Sequence, residues 1–293
     1  MRKSVMTLLM ALSLAAAAVA DSVELESGDT LNGTIVETRD DAVVLEHPTL
    51  GRIEIPTDQV KPPEPPVPPR PGLFGTPILE GWKRSLALGV AGSQGKSNDA
   101  TINVRLKVDQ SDERARRSFN SKYYYSSNNG TANANEFLAE YGHDFLFPDS
   151  KWFLFGKGRY DYDEFEAWDH RVSGSGGIGY DFLRNETWEV LGRFGAGATH
   201  TWRGLNETRS EGTVGLDITW NLSDTDNVLL TNNYFHDLGN TSDFRLLTSL
   251  TWNVALAYVK GLGIQLGFDN EYDTRRIIDE NNLKYYANVT YDF

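Results

Sequence analysis

The last eleven residues constrain the fold more than any other stretch of this chain. Leu283, Tyr285, Ala287, Val289, Tyr291 and Phe293 occupy one parity, while Lys284, Tyr286, Asn288, Thr290 and Asp292 occupy the other. Successive side chains of a strand point to opposite faces, so the segment predicts a strand with a greasy, aromatic face and a polar one. A strand that must face lipid on one side and water on the other needs this pattern, and a helix cannot use it.

The same period of two runs back to Trp82 and divides the chain into about twelve strands. They fall near 82–93, 98–109, 115–126, 134–146, 152–162, 168–182, 188–202, 208–220, 227–236, 243–252, 262–273 and 282–293. The clearest lipid-facing rows are Ala100, Ile102, Val104, Leu106, Val108; Trp188, Val190, Gly192, Phe194, Ala196, Ala198; and Leu262, Ile264, Leu266, Phe268. Each segment reaches the ~9 to 11 tilted residues that cross a bilayer. All seven tryptophans fall at strand ends on this division, which predicts an aromatic girdle at the two interfaces. The expected fold is therefore all-β: an antiparallel transmembrane β-barrel of about 12 strands over residues 82–293. Tyr291 and the terminal Phe293 are expected to act as the assembly signal of its closing strand, read by a barrel-assembly machinery.

Residues 1–20 carry Arg2 and Lys3, an apolar run from Val5 to Leu14, and Ala18-Val19-Ala20 before Asp21, the pattern of a cleaved signal peptide. No other stretch approaches the ~18 apolar residues of a spanning helix. With no cysteine there is no disulfide framework, thiolate metal site or lipid-anchor cysteine. Loss of Arg2 and Lys3 takes the net charge from −13 to −15, a balance that excludes nucleic acid as a partner.

Residues 21–60 read as short β-branched strands punctuated by Gly28, Gly33 and Gly51, and predict a small SH3-like β domain of five strands in the periplasm. Such domains bind peptides or glycans, or serve as plain spacers. A periplasmic or cell-wall partner is the expectation here. Residues 61–81 form a proline-rich linker, with seven prolines between 62 and 71. Fixed φ and missing amide donors favour an extended polyproline spacer.

Candidate chemistry is sparse. Gly174-Ser-Gly176-Gly-Ile-Gly179 matches the dinucleotide fingerprint but lies within a strand and opens no helix, so its glycines are expected to serve close packing inside the barrel. The five histidines, His47, His143, His170, His200 and His236, show no metal-ligand spacing. His143 and His200 are expected on outward rows near the outer rim. Ser173 and His170 could belong to a hydrolase, but no G-x-S-x-G elbow supports them. No catalytic residue, cofactor site or metal site is assigned, and the chain is expected not to be an enzyme.

The stretch from Tyr160 to Arg171 places five acids beside one arginine. Its carboxylates could hold a divalent cation, or Asp161 and Asp169 could hold Arg171 in a charge network within the lumen. Without a D-x-D-x-D-G loop, the network is favoured. Inward rows carry both signs, with Arg105, Lys107, Lys157, Arg159, Arg171, Arg193, Arg245 and Lys284 facing Glu140, Asp144, Asp161, Asp181, Glu189, Asp217, Asp269 and Glu271. Mixed signs in a narrow barrel predict pairing that fills the lumen.

The segment from Asp21 to Gly33, DSVELESGDTLNG, together with FPDSKWFLFG from Phe147 to Gly156, Tyr162-Asp-Glu-Phe165 and Asp169-His-Arg171, resembles the YdiY-like salt-induced outer-membrane proteins. That resemblance implies a cell outer membrane address and a link to salt stress, with no reaction or site residue to carry over. Three functions stay open at this level: a structural, envelope-maintenance or salt-stress barrel, a narrow channel for small solutes or ions, and an outer-membrane hydrolase.

Overall fold

In the computed structural model, residues 21–25, 27, 29–39, 41–61, 69–94, 98–276 and 280–293 are described. The signal peptide expected over residues 1–20 and the proline run 62–68 lie outside them. The chain divides into two compact units, Met1–Pro68 and Pro69–Phe293.

The first unit is a four-stranded antiparallel meander of β1 (Asp21–Glu24), β2 (Thr30–Thr38), β3 (Ala42–His47) and β4 (Gly51–Pro56). Five strands were expected, but after β4 the chain contributes only a short 3-10 turn at Thr57–Gln59 and a single bridge from Val60 back to Leu25. Val23, Leu45 and Ile55 form its buried centre, with Leu25, Leu31, Val43, Ile53 and Val60 packed around them. So small a set of apolar side chains suits a domain near the lower size limit for an independent core.

The second unit is a closed barrel. Its strands are β5 (Lys83–Ser93), β6 (Asp99–Ser111), β7 (Ala115–Asn128), β8 (Thr131–Leu146), β9 (Trp152–Asp163), β10 (Trp168–Arg184), β11 (Trp188–Gly204), β12 (Glu207–Asn221), β13 (Asp226–Asp237), β14 (Phe244–Ala255), β15 (Leu262–Asp273) and β16 (Asn281–Asp292). Each pairs antiparallel with the next in sequence, and β16 closes on β5, giving the twelve strands anticipated from the alternation. Closure of β16 on β5 completes the ring, as a strand-built membrane wall requires. Between β7 and β8, Asn129 and Gly130 both take positive φ, 49° and 80°, the geometry of a two-residue type I′ hairpin.

The outward rows expose apolar side chains: Val90, Phe194 and Tyr285 are 82%, 65% and 74% exposed. The opposite parity points into the barrel and holds Arg171, Arg245, Asp144, Asp161 and Glu211, all buried. A wall that is apolar outside and ionic inside is a transmembrane β-barrel of the outer-membrane type. Tryptophans mark both rims as expected, with one exception. Trp168 is buried, its ring 4.3 Å from the Arg171 guanidinium carbon, so it belongs to the interior. His143 also departs from expectation. It lies three residues from the end of β8, at the rim that holds the chain ends, where it stacks on Phe145 at 4.0 Å.

The glycine-rich stretch of β10 has a steric purpose. Phe153 and Phe155 of β9 point into the lumen and are buried, and a Cβ on Gly179 would stand 2.1 Å from the Phe153 ring. One on Gly177 would meet the Phe194 carbonyl oxygen at 2.2 Å and the Phe155 ring at 3.0 Å. The dinucleotide reading has no structural support, since the segment is a barrel strand throughout.

Candidate functional site: the charged lumen

Among the described residues, three ionic groups of inward side chains each bring together three or more strands. Near the rim of the chain ends, Arg116 joins Asp144 at 3.1 Å and Asp181 at 2.9 Å. Arg193 reaches the same Asp144 at 2.8 Å and also pairs with Asp217. The Phe153 ring sits between the two guanidinium groups, 4.4 Å from Arg116 and 5.5 Å from Arg193. Such cation–π contacts strengthen when desolvated, so the aromatic plug and the ion pairs reinforce each other.

A second group centres on Asp269 of β15. It accepts from Arg105 of β6 at 2.7 Å, Lys122 of β7 at 3.0 Å and Ser249 of β14 at 2.6 Å. The Tyr286 ring lies 3.4 Å from the Arg105 guanidinium carbon. A carboxylate with three donors has its lone pairs satisfied, which lets a charge stay inside a protein at tolerable cost.

The third group contains the residues singled out from the sequence. Arg171 donates to Asp161 at 3.2 Å, and Arg159 holds the same carboxylate at 2.6 Å. The other partner of Arg171 is Glu271 of β15, at 3.0 Å and one hundred residues away in sequence. Arg276, in the turn after β15, adds Glu166 at 2.6 Å and approaches Glu271 at 3.7 Å. Asp161 and Arg171 therefore meet as expected. Asp169 does not join them: among the described residues no ion pair links it to either, because it sits one residue inside β10, at the rim.

Several of these pairs reach between strands that are not neighbours. β10 meets β15 through Arg171 and Glu271, β16 meets β8 through Lys284 and Glu136, and the turn before β10 meets the turn after β15 through Glu166 and Arg276. Side chains thus extend across the lumen instead of lining a continuous wide bore. Parity anticipated many of the inward charges, but Arg116, Lys122, Glu136, Glu211, Arg276 and the phenylalanines were missed. Arg116 and Lys122 share one parity of β7, so the alternation along that strand, which the sequence reading did not lay out, would have found both.

Ser173 and His170 are not brought together. Ser173 points inward and hydrogen-bonds Thr199 at 2.8 Å, whereas His170 lies on the outer surface, bonded to the Tyr160 hydroxyl at 2.8 Å and stacked on Trp202. The two residues stand on opposite faces of one strand.

A family described as "Protein of unknown function, DUF481" matches residues 86–293, nearly the whole barrel. Among solved structures, the NanC porin aligns with TM-score 0.42 and 9% identity over 72% of this chain and 97% of that one. The translocator domain of the autotransporter NalP from Neisseria meningitidis gives 0.39 and 15% over 72% and 87%. The outer membrane channel DcaP of Acinetobacter baumannii gives 0.33 and 7% over 72% and 95%. Comparison with curated proteins found no match.

Proposed function

The chain belongs to the DUF481 family, and we propose that it is an envelope-maintenance protein whose barrel is closed at rest. On this reading the barrel sits in the outer membrane and anchors residues 21–60 in the periplasm, where the small β domain holds a periplasmic or cell-wall partner. Its work is mechanical and non-catalytic. The likeness to salt-induced outer-membrane proteins, carried by the motifs quoted above, supports assigning that role to salt stress.

The observation that carries the proposal is the occupation of the lumen by ion pairs between distant strands, above all Arg171–Glu271 and Lys284–Glu136. A selective pore more often keeps one sign of charge at a constriction and leaves the rest of its bore open. Here both signs neutralise each other across the bore, and Phe153 and Phe155 fill part of it.

Single-channel recording in planar bilayers tests this directly. The purified protein is expected to show no steady conductance. A steady, salt-dependent conductance would reject the closed barrel and establish the narrow-channel reading instead. Labelling of an epitope inserted near residue 40 in intact cells tests the side of the membrane: it is expected to stay hidden until the outer membrane is permeabilised.

A further inference from the structure

Three polar side chains interrupt the apolar outer wall of the barrel. The outward row of β13 runs Val228, Leu230, Asn232, Tyr234; that of β14 runs Leu246, Thr248, Leu250, Trp252; that of β15 runs Leu266, Phe268, Asn270, Tyr272. In the ladder Asn232 lies opposite Thr248 and Thr248 opposite Asn270, so the three form one continuous row. The row stands one step inside an aromatic girdle in which the Tyr234, Phe244 and Tyr272 rings follow one another at 5.5 Å. It therefore belongs to the band that meets lipid.

The row does not satisfy itself. Asn232 Nδ2 donates to Thr248 Oγ1 at 2.9 Å, and among the described residues no side chain donates to the Asn232 oxygen. Asn270 makes no side-chain hydrogen bond among the described residues; its oxygen is enclosed by the wall, which leaves the amide nitrogen to meet a neighbour. In hydrocarbon no water serves these groups, and polar side chains there are satisfied by protein. Beside the row the wall is hollow: Phe268, Asn270, Leu283 and Tyr285, with Thr248 and Asn281, border an outward depression of about 280 Å³. Tyr285 projects at its edge, 74% exposed.

We propose that this face, from β13 to β16, packs against a second copy of the chain within the membrane. Three features select that occupant. The row is uncharged and offers both an N–H donor, at Asn270, and an oxygen acceptor, at Asn232, whereas the ester region of a phospholipid supplies acceptors only. A copy inserted at the same depth brings the same donor, acceptor, projecting Tyr285 and hollow, which is the self-complementarity of an isologous two-fold contact. The face also borders the shortest pairing of the ring, where four residues of β16 meet β5, and a second wall laid over β16 covers the strand held by fewest partners.

The chain has no cysteine, so single thiols test the contact without background. Membranes carrying full-length Thr248→Cys, treated with a short bis-maleimide, are expected to give a covalent dimer. Phe137→Cys, on β8 across the barrel, is expected to give none. Equal cross-linking of the two, or none from Thr248→Cys, overturns the proposal. Native mass spectrometry of the unmutated protein released from lipid nanodiscs gives an independent reading: two copies support the contact, and a single copy, bare or carrying a lipid, overturns it. The double variant Asn232→Leu with Asn270→Leu should still fold, since it makes the wall more apolar, and should loosen the dimer about tenfold. An unchanged dimer in that variant overturns the part assigned to the polar row.

Discussion

Arg84 and Phe293 hold each other by reciprocal hydrogen bonds across the barrel seam. The Arg84 Nε donates to the Phe293 carbonyl oxygen at 3.0 Å, and the Phe293 amide donates to the Arg84 carbonyl oxygen at 3.1 Å. The guanidinium also lies 5.2 Å from the Phe293 ring and donates to Pro71 at 2.8 Å. This matters because the seam is short. Only Ser85 to Leu88 of β5 are in register with Val289 to Asp292 of β16, whereas β5 pairs with β6 from Lys83 to Ser93.

Arg84→Ala should therefore weaken closure more than a surface substitution would. It removes two hydrogen bonds from a charged donor, and a loss of about 3 kcal/mol is expected. Deletion of Phe293 should act earlier, at assembly, by removing both the ring that stacks on Tyr291 and the amide of the clasp. The heat-modifiability transition on gels reads the first effect, and the yield of folded barrel in membranes reads the second.

Arg171→Ala and Asp169→Asn should separate sharply. Arg171 is the shared partner of Asp161 and Glu271, all three largely withdrawn from solvent, and breaking a buried pair from one side costs about 3 to 5 kcal/mol. Asp169 makes no ion pair with that group, so its substitution should stay within about 0.5 kcal/mol, as for ordinary surface changes. Thermal unfolding of both variants, paired with bilayer recordings, gives the comparison. Leakage currents are expected from Arg171→Ala alone.

Gly179→Ala should overpack the lumen. The added Cβ falls 2.1 Å from the Phe153 ring, which is itself held between Arg116 and Arg193 and has little room to yield. A destabilisation of about 1 to 3 kcal/mol is expected. The double change Gly179→Ala with Phe153→Leu should recover part of it, which a double-mutant cycle would show.

The small domain carries a pH signature. Arg39 grips both carboxylate oxygens of Glu37, at 2.9 Å and 2.8 Å, and holds its pKa below the ordinary glutamate value, with Arg52 adding to the effect. A depressed carboxylate stabilises the fold above the normal glutamate range and loses that contribution as pH falls through the lowered pKa. The group is fully exposed, so the contribution is small. Carboxyl NMR titration should find Glu37 ionising below the ordinary glutamate range, and Arg39→Ala should bring it back up towards that range.

The barrel is legible in the amino-acid order alone, because a lipid-facing wall imposes a two-residue period on every strand and each strand repeats it. Strand number, the direction of Arg105, Arg171, Asp269 and Glu271, and the aromatic rims follow from that local rule. Asp161 and Arg171 could be paired from sequence since a short turn joins β9 to β10 and brings them opposite each other. What lies across the lumen could not. Glu271, rather than Asp169, completes the Arg171 group because barrel closure sets β15 within reach of β10, and closure depends on the tilt and stagger of all twelve strands together. The orphaned guanidinium of Arg245 is likewise a tertiary outcome: parity sends the side chain inward, but only the packing of Phe235, Thr199 and Glu211 around it decides that no acceptor reaches its nitrogens.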